Sequence, residues 1–464
     1  MVSLEVVRSV DEAHATIVVV ADGAVSDERS AEVLVVERKA DRRRVLISAC
    51  PADGGAEQAR AWARRAAQNI AAYAGDSRVA FDFTGLPEHR LQPAVEGLLD
   101  IWGELPSTAD LALVLDPASE PMVRRAELVQ RSVSMTRGIV DARANQCTPP
   151  GFAAHAERIA QEHGLGIRTY GEDQLRDLGM GGLLAVGSGS AEPSMLVELW
   201  YTPGARPASE PAPGSVAMIG KGITFDSGGL SLKSPTAQVG MHTDKAGAAT
   251  VLGVMAGLRA LGVTVPVHAV LPLAENMPGP TAVKPGDVVS MRNGVGVEVV
   301  DTDFEGRLIM ADALAWASEW SPQAVLDVAT LTYQVIIALG PSIGGVVARD
   351  PGFGRLVLEA AERGGESMWG LPWAPVYAPQ IRSEAPGATL KNHPGADSGR
   401  ALSAALFLGE FVPIGVPWVH LDVAGPAVAG VGAGTKATGF GVRTLLELLS
   451  GWSDGLSGLG TVEN

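Results

Sequence analysis

The sequence predicts an α/β protein with a smaller N-terminal α/β domain over residues 1–135 and a larger C-terminal domain over residues 136–464. The larger domain is expected to hold a mostly parallel sheet flanked by helices. Three observations predict this. Apolar runs of strand length alternate with stretches whose apolar residues recur at helical spacing. The helical stretches in the second part are long enough to return the chain parallel to its previous strand. A chain of 464 residues with 46% hydrophobic content can bury more than one core.

In the first part ATIVVVAD (15–22), AEVLVVE (31–37) and RVLISAC (44–50) read as strands. GGAEQARAWARRAAQNIAAYAG (54–75) reads as a helix, and SRVAFDF (77–83) and LALVLD (111–116) return to strand. No acid–base cluster forms there. RAELVQRSVSMTRGIVDARAN (125–145) reads as a helix joining the domains, stopped by the prolines of QCTPPG. Beyond it, 194–201, 215–226, 265–276, 324–332 and 416–425 read as strands, and 246–262, 307–320 and 401–412 as helices. The Pro/Ala/Ser-rich stretch at 203–215 reads as a surface loop. No internal repeat is found.

The formal net charge of −16 argues against nucleic-acid or anionic-membrane partners, which clustered Lys and Arg would recognise. The one basic run, ERKADRRR (37–44), is mixed in sign and reads as a solvated loop. Two distant cysteines, Cys50 and Cys147, give no disulfide framework or metal spacing. The first twenty residues carry acids where a secretory leader needs a basic start, and no run reaches the length of a membrane span. A cytoplasmic location is expected.

Chemistry gathers in two stretches at predicted strand ends, where parallel α/β sheets place ligands. KGITFDSGGLSLK carries Lys221, Asp226 and Lys233, followed by Asp244 before a helix. DTDFEGRL places Asp301, Asp303, Glu305 and Arg307 at every second residue. In an extended segment these share one face, with Thr302 and Phe304 on the other. If Asp226, Asp244, Asp303 and Glu305 converge, each close pair repels by about 4 kcal/mol at an effective dielectric of 20. The sum would exceed a domain's stability of about 5–15 kcal/mol. Two divalent cations would cancel four negative charges, and carboxylate-rich sites suit Mn²⁺, Mg²⁺ or Zn²⁺. The eight histidines form no His-Glu-x-x-His pair, and His242, His268 and His420 read as packing or hydrogen-bonded residues. The glycine run GVGAG lacks a following Lys-Ser/Thr and reads as a loop.

KGITFDSGGLSLK, an aspartate eighteen residues after Asp226, and DTDFEGRL resemble the leucyl aminopeptidase (cytosol aminopeptidase) family of two-metal exopeptidases. LGMGGLLAVGSGS, DVATLT, ALSAALFLGEF, HLDVAGPA and ATGFGVRTLLELL extend the resemblance over residues 137–449. It implies that the C-terminal domain is catalytic. Lys221, Asp226, Asp244, Asp303 and Glu305 would be metal ligands, with Asp226 and Glu305 bridging. Lys233 and Arg307 would be the catalytic pair. Met241, Thr330 and Tyr333 would contact substrate. Two Mn²⁺ or Zn²⁺ ions per subunit, or Mg²⁺, would hold a bridging hydroxide that attacks the N-terminal amide, with bicarbonate at Arg307 as proton shuttle. Lys221 ligates only as the free amine; deprotonating it at pH 7 costs about 4.6 kcal/mol, which a bonded cation can supply. The resemblance also implies a homohexamer.

The pattern departs from the family at Asp301 (usually Asn), Phe304 (usually Ala), Lys245 (usually Met) and Tyr333 (usually Gly). No ligand is lost. Tyr333 adds a phenol to the first subsite, so poor turnover of leucyl substrates is expected. The leading expectation is an aminopeptidase acting on peptides or aminoacyl amides. The alternatives are a hydrolase specialised for an aminoacylated small metabolite and a non-catalytic structural or DNA-binding oligomer.

Overall fold

The computed structural model describes residues 4–8, 17–22, 35–38, 44–49, 55–74, 78–102, 111–204, 210–430 and 434–452. Cys50, most of the basic run at 37–44 and the centre of the 203–215 segment lie outside them. The chain divides into two compact units, residues 1–131 with 362–365, and residues 132–361 with 366–464.

The first unit holds a six-stranded sheet in the order Leu4–Val7, Leu111–Val114, Val79–Asp82, Ile17–Asp22, Arg44–Ala49, Val35–Arg38. Neighbours are parallel except the last pair. Helices Ala56–Ala74 and Glu88–Trp102 bury an apolar stripe against it, with Trp62, Phe81, Leu98 and Trp102 in one cluster.

Helix Glu120–Asp141 ends several residues before the prolines expected to stop it. Pro149 and Pro150 instead open helix Pro149–His163, capped by Thr148, whose hydroxyl accepts from the Gly151 N–H at 3.3 Å. Proline suits the first turn because its missing N–H would have no partner there.

The second unit is built on a nine-stranded mixed sheet. Its central strands Trp418–Asp422, Ala324–Ala329, Val216–Gly220 and Val267–Asn276 run parallel. Met195–Tyr201 and Gly166–Tyr170 extend one side through antiparallel pairs, and Gly344–Ala348 with Met368–Leu371 extend the other. Helices Ala246–Leu258 and Gly306–Ser318 pack on the central strands, and every residue of the first is buried. That explains why it is apolar all round rather than amphipathic.

One strand is broken on purpose. Val216–Gly220 pairs with the first half of Val267–Asn276 and on its other side with Ala324–Ala329. After Lys221 the chain continues as Gly222–Asp226 beside the second half, with an irregularity between Ile223 and Phe225. This break carries Lys221 and Asp226 to the same end of the sheet as the turns that follow the neighbouring strands.

Candidate active site

Lys221 sits at the break. Its N–H donates to Val328 O at 3.0 Å, and its carbonyl accepts from Ala248 N at 2.8 Å, so the backbone is held between a strand and a helix start. Its buried Nζ lies 2.7 Å from Asp244 Oδ2 and 2.9 Å from Glu305 Oε1, and donates to Thr330 O at 3.1 Å. Asp244 closes the short turn Met241–Thr243 ahead of helix Ala246–Leu258, and its Oδ1 accepts from Thr330 Oγ1 at 2.7 Å. Glu305 immediately precedes helix Gly306–Ser318.

Asp226 ends the strand Gly222–Asp226. Its Oδ1 accepts from Gly228 N at 2.9 Å and from Asn276 Nδ2 at 2.8 Å. Asn276 also donates to Thr302 O at 3.0 Å, tying the two acidic loops together. Gly228, at φ 87°, turns the chain so that Lys233 N reaches Ser227 O at 2.9 Å. Lys233 Nζ then lies 2.9 Å from Asp226 Oδ2 and against Asp303 Oδ1.

Oxygens of Asp226, Asp244 and Glu305 come within 4.8 Å of one another. With Asp303, four carboxylates face two lysines, leaving two negative charges in excess. Burial pushes Asp244 up to about 7, against the pull of Lys221. Burial, then Asp226 and Glu305, push Asp303 up to about 7. Burial works against the Lys221 ammonium, but Asp244, Glu305 and Asp226 outweigh it and hold its pKa above the ordinary value. Asp244 Oδ2 and Asp303 Oδ1 are buried without an aligned hydrogen bond, although a lysine nitrogen lies near each. Uncompensated carboxylate oxygens beside a potential amine donor suit a divalent metal.

These residues line a cleft of about 510 Å³ that also includes Met241, Thr330 and Tyr333. Tyr333 is 69% exposed, at the start of the short helix Tyr333–Leu339. The sequence pattern does not single out Asn276 or Arg400, both part of this region. The only local signal for Asn276 is its place at the end of a strand.

DTDFEGRL is not extended. Asp301 Oδ1 accepts from Asp303 N at 2.9 Å, making a turn that leads directly into helix Gly306–Ser318. Short polar side chains compete in this way with strand pairing. Consequently Asp303, Phe304 and Glu305 all line the cleft, and the expected alternation of faces does not hold. Arg307, on the first helical turn, does not line it. Its side chain is buried, with Cζ 4.9 Å from the centre of the Phe304 ring and 5.8 Å from that of Phe407. Its Nη1 has no hydrogen-bond partner among the described residues, and burial brings the guanidinium pKa down to about 10.

Lys245, the departure that follows Asp244, has a structural role. It is buried, and its Nζ donates to the carbonyls of Val140, Ala142 and His242, capping the end of helix Glu120–Asp141. His242, His268 and His420 are held by protein groups, as expected. His268 pairs with Glu198 at 2.9 Å, His420 with Asp327 at 2.5 Å, and His242 lies 3.4 Å from Arg143.

The profile of the cytosol aminopeptidase family catalytic domain matches residues 134–446. The chain belongs to the cytosol aminopeptidase family. Among this family's curated members, the probable cytosol aminopeptidase of Streptomyces avermitilis is 43% identical over 339 residues, 72% of this chain and 64% of that protein. The Corynebacterium diphtheriae protein of the same description is 37% identical over 405 residues, 83% of this chain and 79% of its own. The chain thus spans less than two thirds of the Streptomyces protein's length. Among solved structures, a mutant of tomato leucine aminopeptidase has a TM-score of 0.84 at 28% identity, covering 97% of this chain and 96% of that one. The bottromycin maturation enzyme BotP in complex with Mn has a TM-score of 0.83 at 34% identity, covering 94% and 99%. The α/β fold of this cytosol aminopeptidase family member is therefore that of the family's solved members.

Proposed function

We propose that this protein is a metal-dependent aminopeptidase that removes the N-terminal residue from peptides or aminoacyl amides. The observation that carries the reading is the convergence of four carboxylates and two lysines in the wall of one cleft. Lys221, Asp226, Asp244, Asp303 and Glu305 would hold two divalent cations, Mn²⁺ or Zn²⁺ with Mg²⁺ also compatible. Such a pair supplies Lewis acidity and acidifies a bound water. The manganese complex of BotP supports the metal class.

The chain's own groups supply the rest. Lys233 lines the cleft and its pKa lies above the ordinary value: burial opposes the charge, but Asp226, Glu305 and Asp303 outweigh it. As a cation it would stabilise negative charge developing on the substrate carbonyl oxygen. Arg307, a buried guanidinium whose Nη1 has no hydrogen-bond partner among the described residues, would hold a small oxyanion such as bicarbonate. Met241, Thr330 and Tyr333 would line the first subsite, and the Tyr333 phenol would disfavour a leucyl side chain. The curated relatives' names support a cytoplasmic location, and no described helix is long and apolar enough to cross a membrane. A homohexamer is the assembly the family resemblance implies, and the exposed apolar side chains of Leu230, Leu232 and Val239 are available to a contact between copies.

The test is hydrolysis of alanyl, glycyl and leucyl amides and dipeptides by protein loaded with Mn²⁺ or Zn²⁺. N-acetylated substrates and chelated protein serve as controls. Turnover that requires metal and a free amine is expected, with leucyl substrates poor and improved by Tyr333→Gly. Absence of turnover on every unblocked substrate would overturn the reading.

A further inference from the structure

The cleft wall carries a cation besides the acids and lysines already described. Phe304 stands between two of the acidic residues, and around its ring lie three cationic or basic side chains. Arg307 Cζ is 4.9 Å from the ring centre, Arg400 Cζ is 5.6 Å away, and the His393 ring meets it edge-on with centroids 4.4 Å apart. Of the three, Arg400 lines the cleft.

Arg400 sits where local energetics do not favour it. It is the first residue of helix Arg400–Gly409, where the helix dipole already concentrates positive charge and disfavours a cation. Its side chain is only 20% exposed. Nε donates to Ala396 O at 2.9 Å and Nη2 to Asp397 Oδ1 at 2.6 Å, which fixes the direction of the fork. The Asp397 side chain is fully exposed, so this counter-charge is weak in water. Nη1 donates to no protein group among the described residues. An arginine held in place, poorly neutralised and open to a substrate cleft is suited to a carboxylate, which it binds through charge-assisted hydrogen bonds.

We propose that Arg400 is a specificity-determining residue that recognises a carboxylate on the part of the substrate released after cleavage. This rests on the aminopeptidase reading and deepens it. The carboxylate has two possible sources, the C-terminus of a dipeptide or the acidic side chain of the second residue. The favoured substrate then carries charges of opposite sign: an amine toward the acidic cluster and a carboxylate toward Arg400.

Two matched pairs separate the sources: Ala-Gly against Ala-Gly-amide, and Ala-Asp-amide against Ala-Asn-amide. The readout is the ratio of kcat/KM within each pair, which cancels differences in folded fraction between variants. Wild type is expected to favour the acid of at least one pair, mainly through KM. Arg400→Gln should lower that ratio about 10- to 100-fold, the range for a hydrogen bond to a charged group. Arg400→Lys, which keeps the charge and loses the fork, should restore part of it. A fall in the first ratio assigns the C-terminal carboxylate, and a fall in the second assigns the side chain. Wild-type ratios near one, or ratios unchanged in Arg400→Gln, overturn the proposal and leave the aminopeptidase reading standing. Failure of wild type to cleave any of the four overturns both.

Discussion

Gly306 decides how closely Lys221 approaches Glu305. A Cβ at this position would lie 2.5 Å from Lys221 Cε and 2.7 Å from its Nζ. Gly306→Ala is therefore expected to displace the lysine and weaken Mn²⁺ binding about 10- to 100-fold, the usual cost of disturbing a ligand's support. Titration calorimetry would measure it, and wild-type affinity in the variant would contradict the assignment of Lys221. Protons give a second check. Lys221 holds its proton more tightly than an ordinary lysine and must lose it to bind metal through its amine. Metal loading near neutral pH should release protons, and affinity should rise with pH. Mn²⁺ titrations in buffers of different ionisation enthalpy would detect the release; pH-independent affinity with no proton transfer would exclude an amine ligand. The identity of the acids and lysines is legible in the sequence, since their spacing along the two motifs is local. The way Arg307 and Phe304 face is not, because the Asp301 carboxylate accepts from the Asp303 N–H and turns the segment.

At the scale of elements, the sheet contains a buried acid–base pair that links neighbouring strands. Asp327 on Ala324–Ala329 stands opposite His420 on Trp418–Asp422. Its Oδ1 meets His420 Nδ1 at 2.5 Å, and its Oδ2 accepts from Trp418 Nε1 at 2.8 Å. Burial lowers the His420 pKa, but Asp327 outweighs it, so the folded value is raised. A raised histidine pKa stabilises the fold below the unfolded value of about 6.5, and this contribution is lost as pH rises through the folded value. Asp327→Asn should cost about 3–5 kcal/mol at pH 5.5, as expected for an uncompensated buried charge, and less at pH 9. Denaturant unfolding at the two pH values would show it; an equal loss at both would mean that the histidine is uncharged. The central strands and buried helices of this unit are readable from apolar runs, whereas the outer strands Gly166–Tyr170, Gly344–Ala348 and Met368–Leu371 are not. The start of helix Pro149–His163 was not, because prolines that can end one helix can also open the next.

For the whole molecule, the prediction concerns metal and stability together. A ligand that binds only the folded chain stabilises it by about 2.7 kcal/mol at one hundred times its Kd. Mn²⁺ should therefore raise Tm in a concentration-dependent way, and a chelator should reverse the rise. A Tm indifferent to Mn²⁺, with the fold intact, would show that the four carboxylates do not hold metal. The sequence by itself determined the family, the alternation of strands and helices, and the acids and lysines available for chemistry. These reside in short-range order: residue type, period, and spacing within a loop. Only the tertiary structure decided that Asn276 joins the two acidic loops, that Thr330 binds Asp244, that Lys245 turns away to cap a helix, and that Arg400 enters the cleft. Each of these depends on segments far apart in the chain being brought together by sheet order and helix packing, and no local pattern of residues encodes that distance.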